Sequence, residues 1–429
     1  AADIARMKAI DQKHDVLRAY TRANPALIIG GVSPQPAGKT LDGRIAAAAQ
    51  DYILKAPSDK PIFVNVGFHF PHTPVLPPKK FRDQFAGKTY QVPEFSRDEL
   101  KSLPPQLVTL HDKMQIDQLK PEDKQQAIRD YFAFCAYGDS LIGDTVKSFR
   151  EKSEAQGREW VVFITCGDHG WHLGEQGIEA KFGPYDKSNR CAVIALSSNK
   201  ERFPAGKICN RFVEFVDFAP SFLSAAGLDL SSENLAHLDG HDLEAISKKT
   251  SPRRDYVIGE MNHVCGPRAY LRTKEFAFSM RVRPNKGGAD FKWGLTTARK
   301  NVEMSLFDLR SDPGEQHNLA DDPAYLALAD FFRQKLGKIV LGDGRIECDW
   351  KQENSYTLGD FAKGTHDGIL AIPAGLSPNP PTPKKTTGTA IQPDWIKKND
   401  VSRASPVTDL FADDNLSQWW PGKNEHPGK

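Results

Sequence analysis

No run of about 18 apolar residues occurs in the chain, so no stretch reads as a transmembrane helix. An excess of charge of one sign is also missing: 57 Lys and Arg face 55 Asp and Glu, a formal net charge of +2. Nucleic-acid binders usually carry a basic excess or stripe, so that class of partner is set aside. Cysteine is sparse. Cys135, Cys166, Cys191, Cys209, Cys265 and Cys348 include no C-x-x-C spacing and indicate no structural zinc site. Cys135 and Cys191 lie inside apolar stretches and read as buried thiols. The opening AADIARMKAIDQKHD lacks the apolar h-region and cleavage pattern of a signal peptide, and it lacks an initiator Met, which leaves room for residues before it.

What is present is an ordinary globular composition, 39% hydrophobic and 26% charged over 429 residues. That length suffices for one large domain with a smaller companion. From Ile45 to about Gly227, helical patterns alternate with short continuous apolar runs. RIAAAAQDYILKA (44–56) reads as a helix with Asp42 placed to cap it. The stretch 122–150 repeats apolar residues at helical spacing, and DFAPSFLSAAG (217–227) has Asp217 as N-cap and Gly227 as its stop. PIFVNVGF (61–68), WVVFIT (160–165) and CAVIAL (191–196) read as buried strands. Buried strands alternating with helices predict an α/β fold with a mostly parallel central sheet flanked by helices.

After Ile246 the pattern changes. DYVIGEM, AYLRT, EFAFSMRV and EMSLFDL are strand candidates in succession, followed by a helix around 323–337. They predict a small C-terminal α+β subdomain with an antiparallel sheet. The division expected is 1–246 for the α/β part, 247–350 for the small sheet with its helix, and 351–429 for an extended tail rich in Pro. In the tail, VTDLFADDNLSQWW (407–420) resembles the opening strand of a jelly-roll domain.

Two polar clusters follow strand candidates. TCGDHGWHLGEQG (165–177) succeeds WVVFIT, and ligands in open α/β sheets bind beyond the carboxyl ends of strands. Asp168 and His169 are adjacent there and can reach one cation, with glycines around them that allow close backbone approach. GFHFPHTPVLPPKKF (67–81) succeeds PIFVNVGF and presents His69 and His72 on a loop stiffened by prolines. Lys181, further along the Asp168 loop, would place a cation suited to an anionic substrate.

Several ordered blocks resemble the type I sulfatases, formylglycine-dependent enzymes of the alkaline phosphatase superfamily. These are FVNVGFHFPHTPVLPPKKF, VVFITCGDHGWHLGEQGIEAKFG, VEFVDFAPSFLSAAGLDL, LDGHDL and LFDLRSDPGEQHNLADDP. The branch they most resemble is iduronate-2-sulfatase-like. The resemblance implies an alkaline phosphatase-like fold and metal-assisted hydrolysis of a sulfate ester on a carbohydrate or aryl group. It implies Asp168 and His169 as ligands of one divalent metal, expected to be Ca²⁺. It implies His72 beside the leaving oxygen, Lys181 on a sulfate oxygen, and His69 and His172 facing the substrate.

The nucleophile motif of that family, C/S-x-P-S-R, is missing from this chain. The nearest stretch, Cys265-Gly266-Pro267-Arg268-Ala269, has Pro at the right offset but Arg one place early, and it lies in the small subdomain. The formylglycine is therefore expected on an upstream segment, which would be a partner of these residues. A periplasmic or extracellular location is implied by the family. Two alternatives stay open: a phosphoester or phosphonate ester hydrolase of the same superfamily, and a non-catalytic binder of sulfated glycans.

Overall fold

A computed structural model describes residues 2–19, 27–235, 238–284, 292–341, 346–348, 356–358 and 368–379. The stretch 407–420 lies outside the described residues, as does most of 351–429.

The helix Leu41–Lys55 is capped by Thr40, whose Oγ1 accepts the Gly43 N–H at 3.1 Å. Asp42 is thus not the cap; it sits buried in the first turn and serves the loop described below. The long helix Pro121–Ala155 starts with Pro at a position where no amide hydrogen is needed. Its buried Tyr137 and Leu141 pack with Ala46 and Phe81, which joins it to Leu41–Lys55 and to the helix Lys79–Phe85. Tyr137 OH donates to the Ala37 carbonyl at 2.8 Å, tying the polar end of a buried ring. Cys135 and Cys191 are only partly buried.

Val161–Thr165 and Val193–Ser197 form a ladder, as expected from their apolar runs, but the pairing is antiparallel. Residues 166–192 turn back as one excursion between the two strands, with only the four-residue helix Asp186–Asn189 and no packed crossover helix. The expected strand 61–68 lies outside every ladder among the described residues. Its side chains alternate between partial burial and exposure, with Phe63 edge-on to Phe222 at 4.9 Å. The helix predicted at 217–227 runs Phe218–Ala225; Asp217 precedes it without a cap bond and instead holds Arg254.

The small antiparallel sheet is present, in the order Ser305–Asp308, Phe276–Arg281, Arg268–Arg272, Val257–Met261. The helix Leu326–Leu341 packs on it through Leu328, Phe332 and Leu336 against Phe276, Phe278 and Met280. This sheet reaches the excursion 166–192: Arg272 bonds Glu315 at 2.7 Å, and Glu315 in turn accepts the Asp186 N–H at 2.7 Å.

Candidate active site

The excursion begins at Gly167, whose φ of +117° suits glycine; a Cβ there would lie 2.7 Å from the His169 carbonyl oxygen. The turn throws Asp168 outward, its side chain 84% exposed, with His169 beside it. His169 Nδ1 lies 2.9 Å from the Gly170 carbonyl, which can only accept, so Nδ1 carries the hydrogen. The other nitrogen, Nε2, faces Asp168 Oδ1 at 3.2 Å. Nε2 and the carboxylate thus stand side by side as two electron-pair donors. These two donors fit one side of a metal site. Among the described residues no group of three or more His, Cys, Asp or Glu could hold a metal ion.

After the Asp168 turn, His172–Leu173 pairs with Glu179–Ala180 in a hairpin, His172 opposite Ala180 and Leu173 opposite Glu179. The pleat alternates faces. Leu173 and Glu179 therefore share one face and His172 and Ala180 the other, while the Trp171 indole N–H donates to Glu179 and its ring lies under Lys181. Lys181 is bracketed by Ala180 at φ +75° and Phe182 at φ +83°, left-handed backbone that non-glycine residues rarely adopt and that concentrates at functional sites. Its ammonium lies 5.4 Å from the Trp171 ring centre and 5.5 Å from that of Phe182. Burial lowers its pKa, and Asp168 works in the opposite direction.

His72 comes to the same indole from the other cluster. Its ring meets Trp171 edge-on at 6.2 Å. Nδ1 donates to the Thr73 carbonyl at 2.6 Å, which leaves Nε2 for a ligand. The loop that carries it is held from below by Asp42, only 4% exposed, whose Oδ1 accepts the His69 N–H at 2.6 Å. Phe70 fills the space above Gly138, where a Cβ would come within 2.0 Å of the ring. So His72, Lys181, Asp168 and His169, scattered in sequence, are gathered on one side of the molecule.

The other two expected residues are placed differently. His69 points outward, 69% exposed, with Nδ1 3.9 Å from Asp42. His172 is fully buried on the opposite face of the hairpin, which corrects its expected place against the substrate. Nε2 accepts from Ser188 Oγ at 2.7 Å and Nδ1 donates to the Glu175 carbonyl at 3.2 Å. Desolvation pushes its pKa down to about 4, so it stays neutral and structural. Cys265 is buried, its thiol donating to the Phe182 carbonyl at 2.8 Å, and burial raises its pKa to about 11. That is a poor nucleophile but a prop for the Lys181 turn.

Trp171, Glu179, Tyr131 and Asp42 were not singled out as site residues from the sequence. For the first two, the alternation W-H-L against E-A-K around a glycine-flanked turn was the available signal.

The sulfatase family matches the chain over residues 8–228. The chain belongs to the sulfatase family. A sulfatase of Formosa agariphila is 22% identical over 310 residues, covering 70% of this chain and 53% of that protein. An arylsulfatase of Clostridium perfringens is 24% identical over 315 residues, 72% of this chain and 58% of its own length. Iduronate 2-sulfatase of Mus musculus is 26% identical over 244 residues, 44% and 42% of the two chains. The chain thus spans a little over half the length of the first two. The fold is the alkaline phosphatase-like α/β fold. It is shared with the phosphonate monoester hydrolase of Agrobacterium radiobacter (TM-score 0.55, 17% identity, 76% of this chain and 66% of that one). It is shared too with a protein solved in complex with its substrate D-glucosamine-2-N,6-O-disulfate (TM-score 0.50, 17% identity, 70% and 69%).

Proposed function

We propose that these residues form part of the active site of a sulfatase that hydrolyses sulfate esters on carbohydrates, within the iduronate-2-sulfatase-like branch. The observation that carries this reading is the meeting of His72 and Lys181 on the single indole of Trp171, beside the pair Asp168–His169. A sulfate ester resists attack until its anionic oxygens are neutralised, and fixed charges aimed at them are the main catalytic resource. The Lys181 ammonium binds one oxygen. His72, fixed through Nδ1 to the Thr73 carbonyl, presents Nε2 to the bridging oxygen; protonated there, it donates to the departing alcohol, a role worth about 10²–10⁴-fold.

Asp168 and His169 would supply two donors to a divalent metal, Ca²⁺ by the family's preference, which when bound acts as Lewis acid and template. His169 is the less usual donor, since Ca²⁺ favours oxygen and imidazole suits zinc. An upstream segment would bring the remaining metal donors and the formylglycine, which would supply the nucleophile. The protein would act in the periplasm or outside the cell; among the described residues no helix is long and apolar enough to cross a membrane.

The test is turnover of an aryl sulfate and of sulfated oligosaccharides by the protein carrying its upstream segment. Lys181→Met and His72→Ala should each lower kcat/KM by about 10²-fold or more. Preferential turnover of a phosphonate monoester would move the assignment to phosphorus chemistry, and binding of sulfated oligosaccharide without turnover would make it a binding protein.

A further inference from the structure

We propose that Trp171 and Glu179 act together as a positioning unit, the indole forming the wall that sets Lys181 and His72 and Glu179 fixing the indole. The proposal rests on the roles given to Lys181 and His72 above. The hairpin pairs His172 with Ala180 and Leu173 with Glu179, and just beyond it the Lys181 ammonium comes over the Trp171 ring. The indole is bounded by the Lys181 ammonium at 5.4 Å, by the His72 ring edge-on at 6.2 Å, and by Tyr131 stacked at 5.8 Å. Its remaining freedom is removed by a hydrogen bond: Nε1–H donates to Glu179 Oε1 at 2.9 Å.

Glu179 is 1% exposed, and among the described residues its second oxygen is buried with no hydrogen-bond partner. Leaving such an atom unpaired is destabilising, so a core built only for stability would place an apolar residue there. The carboxyl earns its place by anchoring the ring that the oxyanion-binding Lys181 and the leaving-group donor His72 both meet. Burial raises its pKa to about 8, so the neutral acid prevails below that, and it accepts the indole N–H without putting an unpaired anion beneath Lys181. An ammonium held between Trp171 and Phe182 has already lost its rotamer freedom before a ligand arrives, which is where the gain in binding comes from.

The experiment is a double-mutant cycle on inorganic sulfate binding to the 429-residue chain, followed by ¹H–¹⁵N spectra of its seven tryptophan indoles, with the Trp171 signal identified by its loss in Trp171→Phe. Trp171→Leu and Glu179→Leu should each weaken sulfate binding about tenfold, and Trp171→Phe should restore it to within about threefold. Trp171→Leu combined with Lys181→Met should bind no more weakly than Lys181→Met alone. Additive losses in that pair, or unchanged affinity in Trp171→Leu, overturn the proposal. A readout without ligand guards against variants that fail to fold: in the otherwise native chain, Lys181→Met, His72→Ala and Glu179→Gln should each shift the Trp171 indole signal, and a signal indifferent to all of them also overturns it. If the indole responds to these changes but the chain binds phosphate and not sulfate, the positioning unit stands and the sulfatase reading falls.

Discussion

The Asp42 carboxylate accepts the backbone N–H of His69 at 2.6 Å, so the first turn of one helix fastens the loop that presents His72. The next link is local: the His72 N–H donates to the His69 carbonyl at 2.8 Å. A buried side chain far from any reacting atom thereby sets where the imidazole stands. Asp42→Ala leaves that amide without its acceptor and should cost about 1–3 kcal/mol in denaturant unfolding. Asp42→Asn retains an acceptor oxygen and should lose less than half as much. Equal losses in the two variants would mean that the carboxylate's charge, not its bond to His69, is what matters.

The two faces of the hairpin give opposite pH dependences. Glu179 has an ordinary value of 4.5 and, in the folded protein, about 8, raised first by burial and then by Glu175, against the lowering effect of the Trp171 N–H. Between those values the folded state holds a proton that the unfolded state has released. Stability therefore falls as pH rises through that window, by up to about 1.4 kcal/mol per pH unit from this group. Tyr131 also faces this carboxyl, but its own pKa is pushed well above 10.0, so it stays neutral across the window. Glu179→Gln should flatten a plot of melting temperature against pH between about 4.5 and 8. An unchanged slope would show that Glu179 is ionised in the folded protein at neutral pH.

His172 works in the other direction. Its pKa falls from 6.5 to about 4 on burial, so the unfolded chain takes up a proton that the folded one refuses. The stabilisation is complete above about 6.5 and is lost as pH drops toward 4. His172→Gln should be less stable at pH 7, since it breaks the exchange with Ser188 and Glu175, yet lose less on acidification. Wild type and variant losing stability in parallel between pH 6.5 and 4 would contradict the buried neutral tautomer.

Much of this was legible in the chain. The apolar runs at 160–165 and 191–196 located a real strand pair, and the small antiparallel sheet followed from successive strand patterns without helices between them. Asp168, His169 and His72 stood out because polar residues cluster just past apolar runs, while the role of Lys181 entered through the resemblance. Strand direction was not legible, because an apolar run carries no sign of whether its partner returns directly or by crossover. Nor was the burial of His172, which depends on a hairpin of only two paired residues on each side. Asp42 looked like a helix cap because its spacing from the helix suits one; only the folded position of His69 shows which amide it serves.

Cys265 offers a check on the site's boundary. With a thiol pKa near 11 and 1% exposure, it should remain unmodified by iodoacetamide at pH 8 while the exposed Cys166 and Cys209 react, as read by peptide mass spectrometry. Cys265→Ser can still donate to the Phe182 carbonyl and should leave the Lys181 turn in place. Rapid labelling of Cys265 in the folded chain would reopen it as a candidate nucleophile.

The 429 residues alone should not turn over a sulfate ester. Lys181, His72, Asp168 and His169 can hold charge and position an oxyanion, but none is a nucleophile toward sulfur, and removing one member of such a constellation leaves only residual catalysis. Residues 61–68 run outside any ladder among the described residues, and Phe63 is 63% exposed. A groove of about 320 Å³ lined by Ile45, Tyr52, Phe63 and Val64 opens between this segment and the helix Leu41–Lys55. An unpaired segment beside an apolar groove is a place for a strand to pair. With the upstream segment added, amides of 61–67 should gain hydrogen-exchange protection and aryl sulfate hydrolysis should appear together. Hydrolysis by the 429 residues alone that vanishes in Cys265→Ser would overturn this, and protection without hydrolysis would separate the structural role of the segment from its chemistry.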